Sequence, residues 1–211
     1  MKIFLRAKHW QLFSVIFVIP FIFYIYIMIE MFSQIEQIAY SSATPDPFFI
    51  FDTMRNFYLV AIPFMVINFL WFWSLGVGLY NKLPSGVPMK IGFFKFVIIY
   101  TIVFFSGMMY AGYHFMGLFT SPDFPDVIGE NIFGMLKIMV IISPFYLFSI
   151  FCMFYSFVHI AKTIKAVELQ RAVKFDDYIG EFFLMWFSFI GVWIIQPKVN
   201  KMVDEESTIK E

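Results

Sequence analysis

Four long apolar runs divide this chain, and its cations fall in every second gap between them. Ten of the fifteen Lys and Arg residues lie in three stretches: 1–9 (Lys2, Arg6, Lys8), 81–95 (Lys82, Lys90, Lys95) and 161–178 (Lys162, Lys165, Arg171, Lys174). The alternate gaps and their flanks hold seven acidic residues and two basic ones, Arg55 and Lys137. Cations are retained on the cytoplasmic side of a multi-span membrane protein, so the pattern predicts an all-α, polytopic bundle with a cytoplasmic N-terminus.

Composition agrees. The 211 residues are 61% hydrophobic and 14% charged, against about 25% charged in soluble domains. A formal net charge of zero gives a nucleic-acid partner no electrostatic support. Cys152 is alone, so no intramolecular disulfide is possible. Lys2, Arg6 and Lys8 before an apolar run mimic a signal peptide. Phe13 to Met28 is too bulky for one, and no small-x-small cleavage site follows, so a retained first span is expected.

The expected spans are 10–31, 57–79, 93–116 and 132–160, within one integral membrane domain covering 1–211. Twenty-two residues of helix reach about 33 Å, enough for a hydrocarbon core of about 30 Å. A fifth segment, 179–196, is shorter, and its uninterrupted apolar part is only Phe182 to Ile195. Its 18 residues give about 27 Å, which suits a short crossing or a re-entrant helix. A crossing that leaves the C-terminus outside is expected. Pro20, Pro63 and Pro144 are expected to kink three spans, and Gly107 and Gly112 to let helices approach closely.

The loops carry the turn signals. Ala43-Thr44-Pro45-Asp46-Pro47 precedes an apolar patch, Phe48 to Phe51, expected at the interface, and 120–130 is a short loop with Pro122 and Pro125. Asn81 to Pro88 should form a turn. His159 to Tyr178 reads as helical, with Lys165–Glu168 and Glu168–Arg171 pairs at i,i+3 and Ile160, Ile164 and Val167 on one face. That apolar face is expected to lie on the membrane surface, and Asp176 or Asp177 to cap the following helix.

Chemistry is sparse. His9, His114 and His159 are scattered singly, no H-E-x-x-H motif occurs, and neither a metal nor a cofactor is implied. Coupled transporters hold charge near the bilayer centre, whereas Glu30, Lys95, Lys137 and Glu181 lie near span ends, within snorkelling reach of the interface. Glu30 and Lys137 share a depth at which they could pair. Asn68 is the one strongly polar residue near mid-depth, a candidate intramembrane contact and more simply an interhelical hydrogen bond. The densest polar constellation is Glu168, Arg171, Asp176, Asp177 and Glu181, with Gln196 and Asn200 at i,i+4. Most simply these residues form a solvated loop face; if 179–196 re-enters, all share one side and could form a partner site or a buried polar network. If it spans, the constellation breaks apart.

Several stretches then look familiar: Leu83-Pro84-Ser85-Gly86-Val87 with Phe94-Lys95, Phe148 to Tyr155, Ala161-Lys162-Thr163 through Gln170-Arg171, Tyr178 to Phe183, and Gly191-Val192-Trp193-Ile194-Ile195-Gln196-Pro197. Over roughly the C-terminal two-thirds, the chain resembles a group of uncharacterised multi-span inner-membrane proteins of Bacteroidota-type bacteria. The resemblance implies a bacterial cytoplasmic membrane and brings no activity. Three function classes follow. The first is a non-enzymatic subunit or accessory factor that docks a protein partner at its cytoplasmic face. The second is a small transporter or channel, as a homo-oligomer. The third is an interfacial lipid-acting enzyme using Glu168, Arg171 or Glu181.

Overall fold

The computed structural model describes residues 2–40, 49–119 and 124–209, and every regular element within them is helical. A short α1 (Lys2–Arg6) precedes α2 (His9–Phe13), which passes through a π-helical turn at Ser14–Val18 into α3 (Ile19–Tyr40). Then come α4 (Phe49–Gly78), a 3-10 turn at Tyr80–Lys82, α5 (Ile91–Phe119), α6 (Phe124–Leu169), α7 (Phe175–Trp186) and α8 (Ser188–Ile209). Among the described residues, four stretches are long and apolar enough to cross a membrane: His9–Gln37, Phe51–Lys82, Ile91–Leu118 and Leu136–Leu169. This is an all-α membrane protein.

Large apolar side chains such as Phe21, Val103, Val140 and Leu147 point outward, where a bilayer accepts them without penalty. The core instead gathers toward one end. Trp71, Leu75, Leu79, Phe94, Ile98, Ile160, Ile164, Val192 and Ile195 are all buried there. We call this the basal end; it holds α1, the 79–90 turn, the α6–α7 connection and the end of α8. The opposite end is distal.

The prolines are accommodated locally. The π-turn lies just before Pro20, so one wide turn absorbs the missing N–H. Pro144 cannot donate to Val140 O, and Ser143 Oγ donates to that carbonyl instead, at 3.0 Å. Gly112 is needed on the α4–α5 contact, because a Cβ there would lie 2.8 Å from the Tyr58 ring. Gly107 faces open space, contrary to expectation. In the 79–90 turn, Gly86 has φ +96° and Val87 N–H donates to Pro84 O at 3.3 Å, as a type II turn requires. The Pro45–Pro47 run lies outside the described residues; Phe49–Phe51 opens α4, and α6 begins at Phe124 within the expected 120–130 loop.

The fifth segment is a correction. It does not form one helix over 179–196 but breaks at Phe187 (φ −90°, ψ 57°) and folds back as an antiparallel hairpin of α7 and α8. Two contacts straddle the break. Lys198 meets Glu181 at 2.9 Å, and Gly191 lies so close to Leu184 O that a Cβ would sit 1.9 Å from it. Phe187 O accepts from Ile190 N–H and Gly191 N–H, both at 2.9 Å, which starts α8 directly after the turn. Ten residues from Asp177 to Phe187 rise about 15 Å, half the hydrocarbon thickness and too short for a crossing. The apolar face of α6 is corrected with it. Ile160, Ile164 and Val167 are buried, with α7 packed against α6, and do not lie on a membrane surface.

Candidate functional site

The hairpin returns α8 to the basal end, and two polar clusters form there. The first is centred on Gln196, which is fully buried. Because α1 stops at Arg6, its last carbonyls have no helical partner. Gln196 Nε2 faces them, donating to Phe4 O at 2.9 Å and Ala7 O at 3.0 Å, and also lies 2.9 Å from Asn200 Oδ1. Asn200 Nδ2 adds a bond to Ala7 O at 3.1 Å. Gln196 Oε1 accepts from Trp71 Nε1 at 3.0 Å. One amide thus ties α1, α4 and α8 together, and the i,i+4 spacing of Gln196 and Asn200 puts both on the face that meets α1. Lys82 Nζ reaches Met202 O nearby, fixing the basal turn to α8.

The second cluster is a closed ring of alternating charge. Glu168 Oε2 lies 3.0 Å from Lys165 Nζ and 2.9 Å from Lys198 Nζ. Glu181 Oε1 lies 3.3 Å and 2.9 Å from the same two ammonium groups. Each carboxylate is shared by two lysines and each lysine by two carboxylates, which neutralises four charges over α6, α7 and α8. Glu181 is the most enclosed, at 7% exposure. A carboxylate so placed needs its partners, since the cost of stranding a buried charge is several kcal/mol.

Arg171 stands apart from both. It does not pair with Glu168; it makes a bidentate contact with Asp177, at 3.0 and 2.9 Å. Asp177 Oδ2 also accepts from Lys174 N–H at 2.8 Å, so Asp177 closes the first turn of α7 from its third position, as in a capping box. The hydrogen bonds from the Arg171 guanidinium, and then that from the Lys174 backbone, hold the Asp177 carboxyl below the usual carboxylate range. Asp176 is exposed on the outer face of that turn.

Asn68 belongs to neither cluster. It lines a groove of about 480 Å³ bounded by α3, α4, α6 and the hairpin tip, beside Phe64, Met65, Met153, Trp186 and Ser188. No interhelical hydrogen bond from its side chain is found among the described residues. The histidines are dispersed: His9 packs on Trp193, His114 on Tyr110, and His159 stacks on Phe94 with ring centroids 4.2 Å apart. Among the described residues, no three His, Cys, Asp or Glu side chains converge as metal ligands. Glu30 accepts from Gln34 Nε2 at 3.1 Å and is not joined to Lys137.

Sequence reasoning missed Trp71, Lys198 and the Phe4–Ala7 carbonyls. Trp71 looked like one more aromatic in an apolar run, and a backbone carbonyl carries no sequence signal. Comparison with known protein families, curated proteins and solved structures finds no match to this chain.

Proposed function

We propose that this protein is a non-enzymatic subunit or accessory factor of a bacterial cytoplasmic membrane, multi-pass with its N-terminus in the cytoplasm, whose basal face docks a protein partner. The carrying observation is how the basal polar groups are used. Glu168, Lys165, Glu181 and Lys198 satisfy one another, and Gln196 and Asn200 satisfy α1. Groups bound in this way stiffen a surface; a general acid or base needs access to a substrate proton. Around this stiff base, Leu169 and Phe175 are exposed and flank Arg171 and Lys174 in the α6–α7 connection. Apolar side chains beside an Arg are what protein interfaces use as anchors. The bilayer is the other partner, over the apolar flanks of the bundle.

The experiment is affinity isolation of the tagged protein from native membranes in mild detergent, with mass spectrometry of what accompanies it. A stoichiometric protein partner, lost on Phe175→Ala with Arg171→Ala, is the expected result. A protein that emerges alone, or only with copies of itself, overturns the docking reading in favour of transport or interfacial catalysis. Glu181→Gln then separates those two, because only an enzyme acting through Glu181 loses turnover with its fold intact.

A further inference from the structure

We infer that the distal cleft between α3 and α4 is a site for one zwitterionic phospholipid with a primary ammonium headgroup, its phosphate at Arg55 and its ammonium between Glu30 and Asp52. The hairpin tip, at Trp186 and Ser188, closes one end of a groove bounded by α3, α4 and α6. Its walls are apolar, with Pro20 and Phe23 on α3 and Phe57, Val60, Ala61 and Phe64 on α4. From Phe57 to Asn68 the helix rises about 16 Å, close to the thickness of one leaflet's hydrocarbon. A groove of that length, open to the bilayer and apolar along its walls, takes an acyl chain.

Farther toward the distal end, the same two helices change character. Tyr26, Glu30 and Gln34 on α3 face Asp52, Arg55 and Asn56 on α4 around a recess of about 540 Å³. Arg55 is the cation of this recess. Its guanidinium packs over the Tyr113 ring at 4.2 Å, and its Nε is buried without a hydrogen-bond partner. Neither Glu30 nor Asp52 forms an ion pair with it, although Asp52 is one turn away. One guanidinium and two exposed carboxylates, held apart at the mouth of an apolar groove, complement a headgroup that carries both signs. A purely anionic headgroup meets the carboxylates as like charges. A trimethylated one offers them no N–H donor.

The test uses the whole protein reconstituted in vesicles of equal parts phosphatidylethanolamine, phosphatidylcholine and phosphatidylglycerol with matched chains, followed by native mass spectrometry of retained lipid. The wild type should retain phosphatidylethanolamine about tenfold over either competitor, as one charge-assisted hydrogen bond at the low end of its range would give. Glu30→Gln with Asp52→Asn should abolish discrimination between phosphatidylethanolamine and phosphatidylcholine while leaving some lipid bound. Arg55→Gln should reduce retention of both. Ala61→Trp should displace the chain and all retained lipid with the recess untouched. Thermal unfolding in detergent identifies any variant that fails to fold; if Arg55→Gln does, the exposed Glu30 and Asp52 positions carry the test. Equal retention of the three lipids by the wild type overturns the inference, as does preference for phosphatidylethanolamine that survives in the carboxylate double variant.

Discussion

The indole N–H of Trp71 on α4 donates to Gln196 Oε1 on α8 at 3.0 Å, with both side chains fully buried. The two residues are 125 positions apart, and their contact exists only because the chain folds back at Phe187. Gln196→Leu should therefore strand the Trp71 N–H and the Phe4 carbonyl, while Ala7 O keeps its bond from Asn200 Nδ2, destabilising the fold by about 2–4 kcal/mol. Trp71→Phe removes one donor and leaves the carbonyls satisfied; apart from lost packing, its polar cost should be about 1 kcal/mol. Unfolding in a graded detergent series measures both. If Gln196→Leu is neutral, α1 is not anchored by this amide.

The hairpin has a topological consequence. Reporters fused before Met1 and after Glu211 should lie on the same side of the membrane, since α8 returns to the end that holds α1. Cysteine labelling at Lys201 from that side, and not from the other, checks the same point. Opposite sidedness of the two termini would require α7 and α8 to be one crossing helix.

Close approach of α7 and α8 depends on Gly191. A Cβ there would stand 1.9 Å from Leu184 O, a backbone atom that cannot swing away. Gly191→Ala should force the hairpin apart and cost about 1–3 kcal/mol. Gly107→Ala is the control on α5, where open space would receive the methyl and helix propensity favours Ala by about 1 kcal/mol. Parallel thermal melts of the two variants should move in opposite directions.

The charge ring should behave as a unit. Glu181→Gln and Lys198→Met each leave the remaining groups unbalanced, so a double-mutant cycle should show coupling of about 0.5–3 kcal/mol. Strict additivity would mean that the ring is a set of separate surface pairs, worth little each.

The Arg171–Asp177 contact sets an acid limit on the α6–α7 connection. Asp177 is held below its ordinary pKa, so its stabilising contribution is present above the unfolded value and is lost as pH falls through the folded one. Protection of the Lys174 amide against hydrogen exchange should be flat from neutral pH down to the ordinary carboxylate range and fall only below it. Arg171→Lys keeps the charge but not the bidentate geometry, and should weaken that protection at neutral pH.

What could be read from the chain by itself was whatever depends on one dimension. Apolar length and the placement of Lys and Arg reported the four long helices, because crossing a membrane needs only enough consecutive apolar residues to hide a hydrogen-bonded backbone. The polar residues 168–200 were legible as a constellation, but their grouping hung on the path of 179–196. No Gly or Pro marks the break at Phe187, and Gly191 lies one turn beyond it. The turn is decided by contacts that appear only after folding: Leu184 O against Gly191, Glu181 against Lys198, and Gln196 against the open carbonyls of α1. Read from sequence, the 18-residue segment around this 14-residue apolar stretch suits a short crossing or a re-entrant helix, and the two differ in which groups its ends meet. Tertiary structure chose the path on which those groups find partners, because a buried amide or carboxylate left without one is costly.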